Sequence, residues 1–211
     1  MKNPNDLLRL LLALLSGIIT ASGCGSKSDA NHDQVTIERH GEDYVQRVNN
    51  GDIKEDDYEG SVYRILSTTI DSLGIKILYG SPGVRKRVIW GSLVPYDTVW
   101  VSGAIKATAI AFSKDVIIGG KKLKSGKYAF FTIPGRKRWK IIINTNYLQH
   151  NTSDYDTKKD LLRLDVIPDT LSQPTERLTY SISKGAKNVA NIALSWEKLR
   201  IAFNVRMSQP K

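Results

Sequence analysis

From residue 61 onward, apolar and polar side chains alternate with a period of two, and this restricts the chain more than any other feature. Leu162, Leu164 and Val166 alternate with Arg163 and Asp165, and Leu178, Tyr180 and Ile182 with Arg177, Thr179 and Ser181. Ala190, Ile192, Leu194 and Trp196 repeat the pattern, as do Leu199, Ile201, Phe203 and Val205. Trp139, Ile141 and Ile143 obey it too, with apolar Ile142 as an exception. Successive side chains of a strand point to opposite faces, so each such segment has one face to bury and one to wet. Further strands are expected at 62–70, 74–79, 104–113 and 126–133, with hairpin turns at 71–74 and 124–126. About ten short strands punctuated by turn residues predict an all-β domain over 61–211, an antiparallel β-sandwich of jelly-roll-like or related barrel form.

The segment before that domain has a different character. Residues 1–23 carry Lys2 and Arg9 ahead of an apolar run, Leu10–Ile19, broken only by Ser16 and Gly17. A bilayer span needs about 20 apolar residues, so the run suits a secretory signal instead. It ends in Ala21-Ser22-Gly23, directly before Cys24, the one cysteine of the chain. That arrangement resembles a bacterial lipoprotein signal. It implies acylation of Cys24, anchoring in a lipid bilayer and a place on the outer membrane or periplasmic face of the envelope. Residues 24–60 read as an acidic, flexible tether. Ten acids against four bases between Gly25 and Gly60 give it a charge of −6, with few apolar residues and at best a short helix around Glu42–Val48.

The domain itself is strongly basic. The whole chain carries 31 Lys and Arg against 21 Asp and Glu, a net charge of +10, and residues 61–211 alone carry +15. Three clusters stand out at turns: Arg85, Lys86 and Arg87; Lys121, Lys122, Lys124 and Lys127; and Arg136, Lys137 and Arg138 with Lys140. They are candidates for a surface that meets a polyanion. An exported lipoprotein rarely meets nucleic acid, so the partner expected is an acidic glycan, a lipid headgroup or an acidic protein. The opposite charge of the tether suggests that it could cover part of this surface.

Catalytic motifs are absent. There is no G-x-S-x-G elbow, and Ser81 in Gly80-Ser81-Pro82-Gly83 reads as a turn residue. His32 and His40 lie in the tether, leaving His150 as the one histidine of the domain. Zinc-binding spacings are missing, and Asn144, Asn146, Gln149, Asn151, Asp154 and Asp156 offer calcium-type oxygens without the turn glycine of a calcium loop. No cofactor or metal is therefore expected. A ligand cleft could use Tyr96, Asp97, Trp100 and His150. A glycosidase would need two carboxyl groups roughly 5–9.5 Å apart, for which Asp97, Asp154, Asp156 and Asp160 are the loop candidates.

A series of ordered motifs adds a family resemblance. Tyr79-Gly80-Ser81-Pro82-Gly83-Val84-Arg85 leads to Ile89-Trp90-Gly91, Leu93-Val94-Pro95-Tyr96 and Val99-Trp100. Gly103-Ala104, Ala107-Thr108, Gly120-Lys121-Lys122-Leu123, Ser125-Gly126-Lys127-Tyr128 and Phe131-Thr132-Ile133-Pro134-Gly135 follow, and Trp196-Glu197-Lys198-Leu199 closes the series. In order and spacing this resembles an uncharacterised family of exported bacterial proteins, number 2911 among the domains of unknown function, typical of Bacteroidetes. The resemblance implies an exported all-β domain and no particular activity. This chain departs from it where the family commonly has arginine, asparagine and an acid: Val101, Ile105 and Lys106 stand there. The favoured reading is thus a non-catalytic binding module on a membrane anchor. The alternatives are a carbohydrate-active enzyme using loop carboxylates and a structural envelope component.

Overall fold

The computed structural model describes residues 36–38 and 42–208, and Cys24, His32 and His40 lie outside the described residues. Two antiparallel sheets face each other. The larger has seven strands in the order β1 (Thr36–Glu38), β2 (Ser61–Ile70), β3 (Leu73–Pro82), β4 (Thr108–Phe112), β7 (Gly126–Ile133), β8 (Trp139–Asn144) and β9 (Asp160–Val166). The smaller runs β10 (Asp169–Lys184), β11 (Val189–Met207), β5 (Val116–Ile118) and β6 (Lys121–Leu123). One helix, α1 (Glu42–Asn49), precedes β2. The predicted all-β class and two-sheet form hold, and the sheets do not close into a barrel.

The alternating residues make the core. Ile75, Ile77, Phe130, Ile141 and Ile143 of the large sheet meet Leu178, Ile192, Leu194, Phe203 and Val205 of the small one, all buried. All four tryptophans join this core: Trp90 packs against Trp139 at 4.7 Å and Trp196 at 5.7 Å between ring centroids, and Trp100 stacks on Trp196 at 5.8 Å. The exception at Ile142 has its own explanation. With Ala129, Phe131, Val101 and Ala107 it forms a second apolar cluster. These residues alternate with core-facing ones, so they lie on the outer face of the large sheet, where the loops before β4 and after β8 cover them. Strands covered on both faces read as continuous apolar runs.

Three expected features are corrected. Residues 190–196 and 199–205 are one strand, β11, not two. Glu197 takes a left-handed φ of 52° where the ladder with β10 slips, and this bulge moves the inward positions from even numbers to odd ones. Pro174 lies in the same irregular stretch of β10, an edge strand, where its missing N–H is tolerated. Residues 104–107 are not strand, and Ser81 is not in a turn. Ser81 lies buried in β3 and donates to the Leu178 carbonyl at 2.7 Å.

The acidic segment is also corrected for its described part. Between Tyr44 and Gly60 it packs onto the domain instead of forming a free string. Val45 and Val48 of α1 are buried, and Asn49 forms two bonds with the Arg177 peptide, accepting from its N–H at 2.7 Å and donating to its carbonyl at 2.9 Å. The Arg177 side chain is fully buried. It pairs with buried Asp56 at 2.7 Å, donates to the carbonyls of Tyr58 and Ser81, and lies 5.1 Å from the rings of both Tyr44 and Tyr58. Polar composition concealed this docking, because a buried ion pair and the Asn49 bonds fasten the segment with only two buried valines beside them.

Candidate functional site

A ridge divides the surface beside the second apolar cluster. Lys106 and His150 form an isolated antiparallel bridge, flanked by bonds from the Ala107 N–H to the Gln149 carbonyl at 3.0 Å and from the Asn151 N–H to the Ile105 carbonyl at 2.7 Å. The ridge sits close to β3: a Cβ on Gly80 would lie 2.5 Å from the Ala104 carbonyl oxygen, so only glycine fits there. Its outer end is tied to β8 and β9. Asn144 donates to Asp160 at 2.7 Å, Tyr155 donates to the same carboxylate at 2.8 Å, and Arg163 contacts both Asp160 and Tyr155. Burial and the Asp160 carboxylate push the Tyr155 phenol up to about 12. The amides read as calcium-type ligands thus fasten the loop: Asn146 donates through its side-chain amide to the Asp154 carbonyl, and its own N–H is held by the Asn144 side-chain oxygen.

On one side of the ridge lies a cleft of about 570 Å³. Its floor is the outer face of β3 and β4, where Gly80, Leu78 and Ala109 leave space. Tyr63 of β2 and Tyr147 with Leu148 form its walls, and Leu148 is 79% exposed. Lys106, Lys127 and His150 line it with a single carboxylate, Asp154. The Lys127 ammonium lies 4.7 Å from the centroid of the Tyr147 ring, a cation–π contact. Partial burial raises the Tyr63 phenol above its ordinary value. Gln149 is buried in the wall, donates through its amide nitrogen to the Asn146 carbonyl, and leaves its Oε1 without a partner. Cations and aromatic walls suit an anionic ligand with flat apolar faces.

The residues singled out from sequence do not all meet here. Lys127 and His150 do. Trp100 belongs to the tryptophan cluster, and its indole donates to the Gly103 carbonyl at 3.1 Å. Tyr96 lies under Arg136, 4.7 Å from ring centroid to guanidinium, and Asp97 adopts a left-handed φ of 59° with its N–H on the Pro134 carbonyl. Asp97 is thus a turn residue beside the β7–β8 connection, outside the cleft. The basic clusters separate as well. Lys121, Lys122 and Lys124 precede β7, and Arg136, Lys137 and Arg138 follow it, about 25 Å apart along an eight-residue strand. Asp115 sits 3.6 Å from Lys122 and 3.3 Å from Lys124, and Asp165 pairs with Lys140. Arg85 and Lys86 face the acidic segment, 3.7 Å from Glu59 and 3.8 Å from Glu55, while Arg87 bonds the carbonyls of Gly83 and Val84.

Sequence reasoning missed Tyr63, and it named Gln149 only as a calcium-type oxygen and Lys106 only as a departure from the family pattern. Their place depends on which strands neighbour each other and on the ridge, and no local pattern encodes that. Of the departures from the family pattern, Val101 is buried in the second apolar cluster, Lys106 lines the cleft, and Ile105 is 52% exposed on the ridge.

A family model described as a protein of unknown function (DUF2911) matches residues 61–205, which covers the two-sheet domain from β2 nearly to the end of β11. No curated protein and no solved structure matches the chain.

Proposed function

The chain belongs to this family, and from the geometry of its cleft we propose a non-catalytic binding module that holds an acidic oligosaccharide between Tyr63 and Tyr147. The observation that carries the reading is the lining itself: two aromatic walls, and Lys106, Lys127 and His150 against one carboxylate. Tyrosine rings stack on the apolar faces of sugar rings, and the cations meet carboxylate or sulfate groups. A glycosidase reading has less support, since Asp154 is the one acid among the lining residues and a second carboxyl group is required. In this reading the module is exported and anchored to the cell envelope by acylation of Cys24. Replacing Cys24 with Ala should move the protein from the membrane pellet to the soluble fraction.

The binding test is calorimetric titration of uronate oligosaccharides, with neutral oligosaccharides of equal length as controls. We expect the acidic series to bind, with affinity falling as salt rises. Tyr63→Ala and Lys127→Gln should each weaken binding about tenfold, equivalent to about 1.4 kcal/mol. Equal binding of neutral and acidic sugars, or binding indifferent to both substitutions, would overturn the assignment.

A further inference from the structure

The other side of the ridge carries a second pocket. It is smaller, about 320 Å³, and its chemistry differs from that of the cleft. Trp100 and Trp196 provide aromatic surface, Leu93 and Ile105 are exposed apolar residues at its border, and Arg85 and Arg87 bring two guanidinium groups. No carboxylate is among its lining residues. Trp196 is buried against it. Backbone strain also gathers around it: Arg85, Ile105 and Asn151 line it with φ of 49°, 70° and 50°, and Ser102 beside them has 54°. A β-branched residue such as Ile105 pays a steric cost in that region, and such strain concentrates where a site is built.

We propose that this pocket binds an apolar carboxylate, an aryl or branched-chain acid presented either free or as the C-terminus of a peptide. The volume suits one ring or one branched side chain. Arg87 is held for the role, because its Nε and Nη2 donate to the Val84 and Gly83 carbonyls and fix the guanidinium plane. The Arg85 guanidinium makes a long contact to Glu59, 3.7 Å, which an incoming carboxylate displaces at little cost, while the Arg85 backbone N–H holds Glu176 at 2.6 Å. The apolar part of the ligand then covers Trp100 and the exposed faces of Leu93 and Ile105. The same ridge serves both sites, with Lys106 and His150 toward the cleft and Ile105 and Asn151 toward this pocket.

The test uses the purified full-length chain and titrates 3-phenylpropionate, its neutral amide, and two short peptides ending in leucine, one with a free carboxylate and one amidated. Tryptophan fluorescence and calorimetry give the readouts. We expect 3-phenylpropionate to bind and the amide to bind at least tenfold more weakly. Preference for the free-carboxylate peptide over the small acid identifies a peptide C-terminus as the source, and the reverse identifies a free acid. Arg85→Gln should weaken the acid about tenfold, and Leu93→Trp, which fills the mouth at an exposed position, should abolish binding while leaving uronate binding in the cleft unchanged. Equal binding of acid and amide, no binding of either acid at millimolar concentration, or wild-type affinity in Leu93→Trp would overturn the proposal.

Discussion

Replacing Asp56 with alanine tests whether residues 44–60 belong to the folded domain in solution. Asp56 Oδ1 accepts from Arg177 at 2.7 Å and from the Tyr44 hydroxyl at 2.7 Å, and both members of the ion pair are buried. Removing one partner of a buried ion pair costs about 3–5 kcal/mol, because the other charge stays without its counter-charge. Here the Tyr58 and Ser81 carbonyls and the two flanking tyrosine rings still solvate the guanidinium, so we expect the lower end, about 3 kcal/mol. For a domain of this size that corresponds to a fall of roughly 6–12 °C in Tm. Gly83→Ala provides an independent route to the same result. Its added Cβ would lie 2.0 Å from Asp56 Oδ2, which expels the carboxylate without removing its charge. Chemical denaturation gives the loss in stability, and hydrogen exchange of the α1 amides shows whether the helix is released before the sheets open. A loss below about 0.5 kcal/mol in both variants, within the range of ordinary surface substitutions, with unchanged protection of α1, would refute the argument that this ion pair fastens the segment.

Three further outcomes are expected. Ile105→Asn should stabilise the protein by about 1 kcal/mol, since Ile105 is half exposed at a φ of 70° and asparagine tolerates that region; an unchanged or lowered denaturation midpoint would contradict this. Lysine partners and N–H donors hold the carboxyls of Asp71 (Lys184, Asn188), Asp115 (Ser125, Lys124) and Asp165 (Lys140) below their ordinary values, so their contribution is present above the unfolded value of 3.8 and is lost as pH falls through the lower folded values. At the alkaline end, Tyr155 ionises at 10.0 when unfolded and near 12 when folded, so its contribution is intact below pH 10 and disappears between 10 and 12. Buried Tyr180 acts in the same direction, and thermal melts across both windows check the two slopes. Finally, Glu55→Gln with Glu59→Gln frees Lys86 and Arg85 without disturbing Asp56, and should raise low-salt affinity for a long polyanion such as heparin; unchanged affinity would exclude masking by this segment.

The fold was legible because strand periodicity is local. Leu162, Leu164 and Val166, or Ala190 through Trp196, declare a buried face without reference to anything distant in sequence, and the two-sheet form follows from burying several such faces at once. Where the reading stopped short, the cause was also physical. The inward phase of β11 changes at Glu197, and a phase change reads as a break between strands unless the bulge is known. Residues 44–60 looked like a tether because charge and polarity are averages, whereas one buried pair, Asp56 with Arg177, lies 121 positions apart along the chain.

The sites follow the same logic at longer range. A basic cluster such as Lys121, Lys122 and Lys124 is visible in sequence, yet Asp115 answers part of its charge. Lys106 stands alone in sequence and becomes a cleft cation only because Gly80 lets the ridge settle on β3 and the bridge to His150 sets its side. Clustering of charge along the chain therefore reports solvation at turns, while a site arises where topology places cations beside aromatic walls and in excess over acids. By that criterion the two places to search for ligands are the faces of one ridge. The discriminating substitution on it is Lys106→Ile, which should weaken uronate binding in the cleft about tenfold and leave the 3-phenylpropionate affinity of the neighbouring pocket as it was. Equal losses at both sites would mean that the ridge moves as a unit and that the two sites are one.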